Sequence, residues 1–256
     1  MGKITESDIR QHIETHIPDF HRNKLQKLEK LRLKEVLLRK NPYLFRAKNV
    51  TSAGELVKSI LDAYLSSQEE SVFGGFLETL AIFICGRVYG GRESAAEGID
   101  LEFEKDGLLY IVSIKSGPNW GNSSQINKMK DNFRKAKRVL GTHAAKQNIV
   151  AINGCCYGRD ASENKLEYTK LCGQSFWAFI SGNDSLYKDI IEPLGHRAKE
   201  CNEQFATEYG KVVNRFTRQF IGDFCQDDGA ILWPNLVEFN SSSKKPDSPA
   251  RALDHK

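Results

Sequence analysis

The six cysteines of this 256-residue chain include no C-x-x-C pair, and no histidine stands at finger-like spacing from them. That arithmetic excludes the common structural zinc modules. The adjacent pair Cys155-Cys156 lies in a strand-like stretch and should face opposite sides of it. All six read as reduced, structural thiols in apolar surroundings. No apolar run approaches the ~20 residues that cross a bilayer, and "MGKITESDIRQHIE" lacks the hydrophobic core of a secretory signal. The expected address is the cytoplasm, with no membrane partner. Internal repeats are absent. Net charge is only +4, so bulk charge announces no polyanionic partner. Hydrophobic content of 40% and charged content of 27% are those of an ordinary soluble globular protein, long enough for one substantial core or two small ones.

The distribution of charge says more than its sum. Between Arg22 and Lys40 stand eight Lys or Arg and two Glu. Between Gln125 and Leu140 stand six, including Lys128, Lys130 and Arg134, against the single acid Asp131. Such stretches are either solvated helical faces or the footprint that a phosphate backbone requires.

Apolar periodicity predicts helix over residues 4–40, broken at Asn41-Pro42 because the residue before proline disfavours the helical region. A second helix is expected from an N-cap at Thr51 or Ser52, with Glu55 completing a capping box. A third, "SVFGGFLETLAIFICGRVYGG", is more apolar still and ends at Gly90-Gly91. Glu78 lies inside it, where a charge is costly without a partner or a task. "IDLEFEK" and "LLYIVSIK" then read as strands joined by the hairpin signal Asp106-Gly107. A helix over 125–140 follows, then strands "NIVAINGCCYG" and "SFWAFISG", the latter packing Phe176, Trp177 and Phe179 in the core. Two helices separated near Pro193-Leu194-Gly195 come next, and last a Ser-, Pro- and charge-rich tail expected to be disordered. This order predicts an α/β fold, with a mixed central sheet flanked by helices.

On the strand "LLYIVSIK", period-two geometry places Ser113 and Lys115 on one face, and Tyr110, Val112 and Ile114 on the other. The hairpin brings them beside Asp100. An Asp and a Lys so placed form either a surface ion pair or a hydrolytic pair. In the second case Asp100 holds a divalent cation, magnesium (Mg2+) by its preference for oxygen donors, and Lys115 stabilises the attack of water on phosphorus.

Asp100 followed by Ser113-Ile114-Lys115 resembles the core of the PD-(D/E)XK nucleases, with the helix of Glu78 standing where that fold places its first core helix. Longer strings resemble the type II restriction endonucleases within that superfamily, and among them the PmeII-like enzymes: "NPYLFRAKN", "EGIDLEF", "SIKSGPNWGNSSQ", "GCCYG", "CGQSFWAFISG" and "IIEPLG". The resemblance covers roughly residues 40–225. It implies a restriction-endonuclease-like core with helical N- and C-terminal additions, and a magnesium-dependent enzyme. Such an enzyme cuts both strands of double-stranded DNA at a specific sequence and leaves 5′-phosphates. It further implies a homodimer and a cognate DNA methyltransferase as cellular companion. The corresponding division is a basic helical segment over 1–45 for DNA contact or dimerisation, a nuclease domain over 46–230 and a tail over 231–256.

Ile99 replaces the proline of the motif, a mild change because that proline has no chemical role. Ser113 replaces a carboxylate, which is serious, since a neutral hydroxyl is the weaker metal ligand. Another acid must complete the shell. Glu78 is the first candidate, with Glu97 and Glu102 behind it, so that Asp100, Lys115, Ser113 and Glu78 form the expected catalytic set. Asp100, Glu78 and Ile114 form the expected metal-binding set. For DNA, Asn119, Trp120, Asn122, Ser123, Ser124 and Gln125 line the mouth of this site, and Lys128, Lys130 and Arg134 follow on the helix. Trp120 is equally read as an anchor to the core, and Gln125 as a helix cap. Two rival readings keep the fold: a DNA-binding protein impaired in catalysis at Ser113, and a repair nuclease without sequence preference.

Overall fold

The computed structural model describes residues 4–143 and 148–243 of the chain. Its elements are α1 (Glu6–Lys30), α2 (Leu33–Leu38), α3 (Pro42–Ala47), α4 (Ala53–Tyr89), β1 (Arg92–Glu93), β2 (Leu101–Lys105), β3 (Leu108–Lys115) and α5 (Ser123–His143). They continue with β4 (Ile149–Cys155), β5 (Thr169–Cys172), α6 (Gln174–Ser181), α7 (Leu186–Asp189), α8 (Ile191–Leu194), α9 (Ala198–Phe224) and α10 (Trp233–Ser241). The chain divides into two compact units. One comprises Met1–Phe20 and Glu70–Ala198, the other His21–Glu69 and Lys199–Lys256.

The first unit holds a five-stranded sheet in the order β1-β2-β3-β4-β5. β1, β2 and β3 pair antiparallel, and β4 and β5 extend the sheet in parallel. The expected mixed α/β sheet with helical additions is therefore present. Asp106 and Gly107 both take positive φ, 51° and 75°, as the two central residues of the tight turn preferred in hairpins do. Alternation along the strands separates two cores. Leu101, Phe103, Val112, Ile114 and Ile152 pack with Phe76, Leu77, Leu80 and Ile84 of α4 and with Ile13 and Ile17 of α1. Ile99, Ile111 and Ala151 pack instead with Met129, Phe133 and Ala136 of α5. Cys156 joins the α4 side, while the Cys155 thiol sits 3.9 Å from Asn153 Oδ1 on the other face. All six cysteines are free thiols.

The second unit is helical. Leu28, Val36, Leu56, Ile60 and Leu61 pack with Val212, Phe216, Phe220 and Phe224 of α9 and with Leu236 of α10.

Four sequence expectations require correction. The helix over 4–40 is two helices with an interruption after Lys30, and Pro42 opens a short further helix. Asn41 caps it by accepting from the amides of Tyr43 and Leu44, and proline at the first helical position forfeits no bond. The helices predicted on either side of Ser71 are the single 37-residue α4. Gly74-Gly75 lies within it, because glycine weakens a helix by only about 1 kcal/mol per residue, less than packing returns. By length and composition α4 would satisfy the criterion for a bilayer crossing, but many of its apolar side chains are spent on protein cores. Finally, "SFWAFISG" is helix rather than strand. Gly173, at φ 52°, ends β5 and opens α6. Phe176, Trp177 and Ile180 are buried at helical spacing, a pattern that so short an apolar run cannot distinguish from a strand. The tail from residue 244 onward lies outside the described residues, and residues 233–241 ahead of it are helical.

Trp177 is 2% exposed and donates from Nε1 to the Cys156 carbonyl at 2.8 Å. Trp177→Phe should therefore lower stability by about 1–3 kcal/mol, the cost of an orphaned buried acceptor, measured as a shift of the urea midpoint at unchanged slope.

Candidate active site

The antiparallel ladder between β2 and β3 stops at Leu101↔Val112. Just before it, the Asp100 amide donates to the Val112 carbonyl at 2.9 Å. The next free amide of β3, on Ile114, finds no strand carbonyl and donates instead to Asp100 Oδ2 at 2.6 Å. The carboxylate thus replaces a backbone acceptor, which fixes its position against β3. The chain enters Asp100 through Gly98, at φ 72°. A Cβ there would meet Asn132 Nδ2 of α5 at 2.0 Å, so this approach is open only to glycine. Ile99, at the position of the motif's proline, is buried against α5.

Lys115 Nζ lies 3.5 Å from Asp100 Oδ2 and donates to the Ile114 carbonyl at 2.7 Å. Ser113 is 1% exposed, with its hydroxyl 3.5 Å from Asp100 Oδ2 and thus at the outer limit of a hydrogen bond. These contacts all fall on Oδ2, leaving Oδ1 without a partner among the described residues. Glu78 reaches the same place from α4. Burial, and then the negative charge of Asp100, push its carboxyl above the ordinary value; Glu93 of β1 adds to the rise and the Lys115 ammonium opposes it. Asp100, Ser113, Lys115 and Glu78 therefore occupy one neighbourhood.

The alternative acids are engaged elsewhere. Glu102 is buried, accepts from Arg92 Nε at 2.7 Å and from the Ser94 hydroxyl at 3.1 Å, and so ties β1 to β2. Glu97 is exposed and stands 3.9 Å from Lys128.

Among the described residues, no cluster of three or more His, Cys, Asp or Glu side chains is placed to hold a metal. The Asp100 and Glu78 carboxylates, whose charges oppose each other, nevertheless offer oxygen donors that suit a hard cation keeping several waters, as magnesium does. Ile114 has only its main-chain oxygen to offer.

The residues expected to meet DNA divide. Asn122 and Gln125 cap α5 reciprocally: the Gln125 amide donates to Asn122 Oδ1 at 3.1 Å and the Asn122 amide to Gln125 Oε1 at 2.9 Å, the arrangement of a capping box. Asn119, Ser123 and Ser124 are exposed. Trp120 is half-buried, packs on the α5-side core and donates from Nε1 to Asn153 Oδ1 at 3.2 Å. Lys130 and Arg134 both pair with Glu167, and Arg134 also with Asp131 at 2.8 Å. Two residues escaped the sequence reading. Glu93, in the polar "GGRESAAEG", carried no signal. Asn153 did, as a polar side chain inside an apolar strand, the same signal that marked Glu78.

Residues 7–202 of the chain match a family model described as Type II restriction endonuclease EcoO109I. Comparison with curated proteins finds no significant match.

The raised Glu78 carboxyl predicts a stability signature for the metal-free protein. A carboxyl held above its unfolded value binds its proton more tightly when folded. Its contribution is therefore fully present below the ordinary Glu range and lost as pH rises through the folded value. Glu78→Gln should then raise the melting temperature at pH 8 and leave it unchanged near pH 4, as followed by thermal unfolding in a chelator.

Proposed function

The chain belongs to the type II restriction endonuclease EcoO109I family, whose members are site-specific deoxyribonucleases, and on that footing we propose how its residues cut. The reading is a magnesium-dependent endonuclease that hydrolyses one phosphodiester in each strand of duplex DNA at a specific sequence and leaves 5′-phosphates. The observation that carries it is the contact of Asp100 with Lys115 at the frayed end of the β2–β3 ladder, with Glu78 close enough for its proton affinity to feel both.

Asp100 Oδ1, Glu78 and the Ile114 carbonyl would hold the cation. When bound, magnesium supplies a Lewis acid that polarises the phosphate and lowers the pKa of a coordinated water. Lys115 Nζ presents its protons toward the attacking water and the charge growing on the phosphate oxygens. Asp100 Oδ2 and the Ile114 carbonyl orient that ammonium. Glu78 supplies the carboxylate that Ser113 cannot, and Ser113 fills a buried place beside Asp100.

Basic residues of α5 would track the DNA backbone, and the exposed Asn119, Ser123 and Ser124 would meet phosphate or base edges. A homodimer is expected because two-fold protein symmetry matches a two-fold cleavage site. Such an enzyme would require a cognate methyltransferase to protect the host's own sites. The basic segment 1–45 is read as a DNA-contacting or dimer-forming element, residues 46–230 as the nuclease domain, and 231–256 as a tail. The narrower kinship with PmeII-like enzymes rests on the strings quoted above.

Incubation of mixed-sequence phage DNA with the protein, with and without magnesium, tests this reading. Discrete bands that need both the metal and Lys115 are expected, with Lys115→Ala and Asp100→Asn each at least about 10²-fold slower. Asn at position 100 retains an oxygen for the Ile114 amide, so its loss of activity would not be one of folding. A smear would point to a nuclease without sequence preference, and retardation without cutting to an impaired DNA-binding protein; either overturns the proposal.

Binding should also fall steeply with salt. Replacing Lys135, Lys137 and Arg138 by Ala should flatten the slope of log K against log salt by about one per phosphate contact removed, read by fluorescence anisotropy in calcium. A slope unchanged by all three replacements would remove α5 from the interface.

A further inference from the structure

Trp120, in the loop that follows the catalytic strand, does two things at once. Its ring lies beneath Lys115 Nζ, 5.5 Å from the centroid, and its Nε1 donates to Asn153 Oδ1 at 3.2 Å. Asn153 is 1% exposed and stands opposite Ser113 in the β3–β4 ladder. Its Nδ2 donates to the Ser113 carbonyl at 3.1 Å. The amide has one orientation only, because the indole requires an acceptor and the carbonyl a donor. The loop is also fixed at its start. The amides of Cys156 and Tyr157 donate to the carbonyls of Lys115 and Ser116 at 2.9 and 3.1 Å, and Lys170 Nζ donates to the Pro118 carbonyl at 2.9 Å.

We propose that Trp120 and Asn153 are positioning residues for Lys115: Asn153 locks the indole, and the indole face holds the ammonium beside Asp100. Three directions of constraint then act on Nζ, from Asp100, from the Ile114 carbonyl and from the ring. A flexible four-carbon stem needs such restraint if its charge is to stay aimed at one point. The half-buried ring has its indole proton and one face already committed. Trp120 therefore acts on catalysis through Lys115 rather than as a wedge between base pairs. The inference rests on Lys115 serving the cleavage proposed above.

Two arms test it. In the metal-free protein, the ring should shift the NMR signals of the Lys115 ε-methylene protons upfield. Trp120→Leu should return them to the position of a solvated lysine. Asn153→Leu should do the same, although Asn153 forms no bond to Lys115. In the second arm, both variants should slow single-turnover cleavage by roughly tenfold, the scale of a cation–π contact, at unchanged affinity for DNA. A merely structural loop residue would leave the Lys115 signals in place, and a DNA-wedging tryptophan would weaken DNA binding at unchanged single-turnover rate; each result overturns the inference. Trp120 sits in a half-buried loop, so its variant decides the matter even if Asn153→Leu fails to fold. If the unaltered protein cut no DNA, the functional reading would fail, while the NMR arm would still decide the positioning.

Discussion

The Asp100 carboxylate accepts the Ile114 amide at 2.6 Å, and the site is arranged around that bond. A β-ladder that ends in the interior leaves an amide in need of an acceptor. Supplying it from a side chain rather than from a strand does two things at once. The sheet is satisfied, and an anionic oxygen is fixed at a place where backbone pairing has just stopped and solvent can reach. The opposite oxygen has no partner among the described residues. Lys115, one residue beyond Ile114, carries its ammonium to within 3.5 Å of the fixed oxygen.

Around this point the two faces of the sheet contribute differently. The α5 side brings Asp100, Ser113, Lys115 and Asn153, together with the indole of Trp120. The α4 side brings Glu78 from a helix whose neighbouring turns are buried in the core. The cost is visible in Glu78, whose charge is opposed by burial and by Asp100. An arrangement that strains the metal-free protein in this way is typical of sites whose work requires destabilised groups. Glu102, nearer to Asp100 in sequence, is instead held by Arg92 and Ser94.

Much of this was legible before the structure. The hairpin followed from Asp106-Gly107 and the alternation around it, and the facing of Ser113 and Lys115 from strand period. Glu78 stood out as an acid in an apolar segment. What was not legible depended on tertiary choice. "SFWAFISG" holds an apolar run too short to separate helix from strand, and Gly173 turns the chain between β5 and the helix. The polar stretch ahead of Ser71 suggested a boundary, but the helix runs through it. Gln125 announced a cap as readily as a contact, and only its reciprocal bonds with Asn122 distinguish the two. Asn153 needed its neighbours, since a polar residue in a strand acquires meaning only from the groups that it joins.

The central claim is that Glu78 replaces the carboxylate missing at Ser113. Anomalous diffraction from crystals soaked in manganese tests it most directly. The account predicts a peak bonded to both Asp100 and Glu78, with the Ile114 carbonyl in its shell. A peak on Asp100 that leaves Glu78 unbound, or one completed by Glu97 or Glu102, would contradict it.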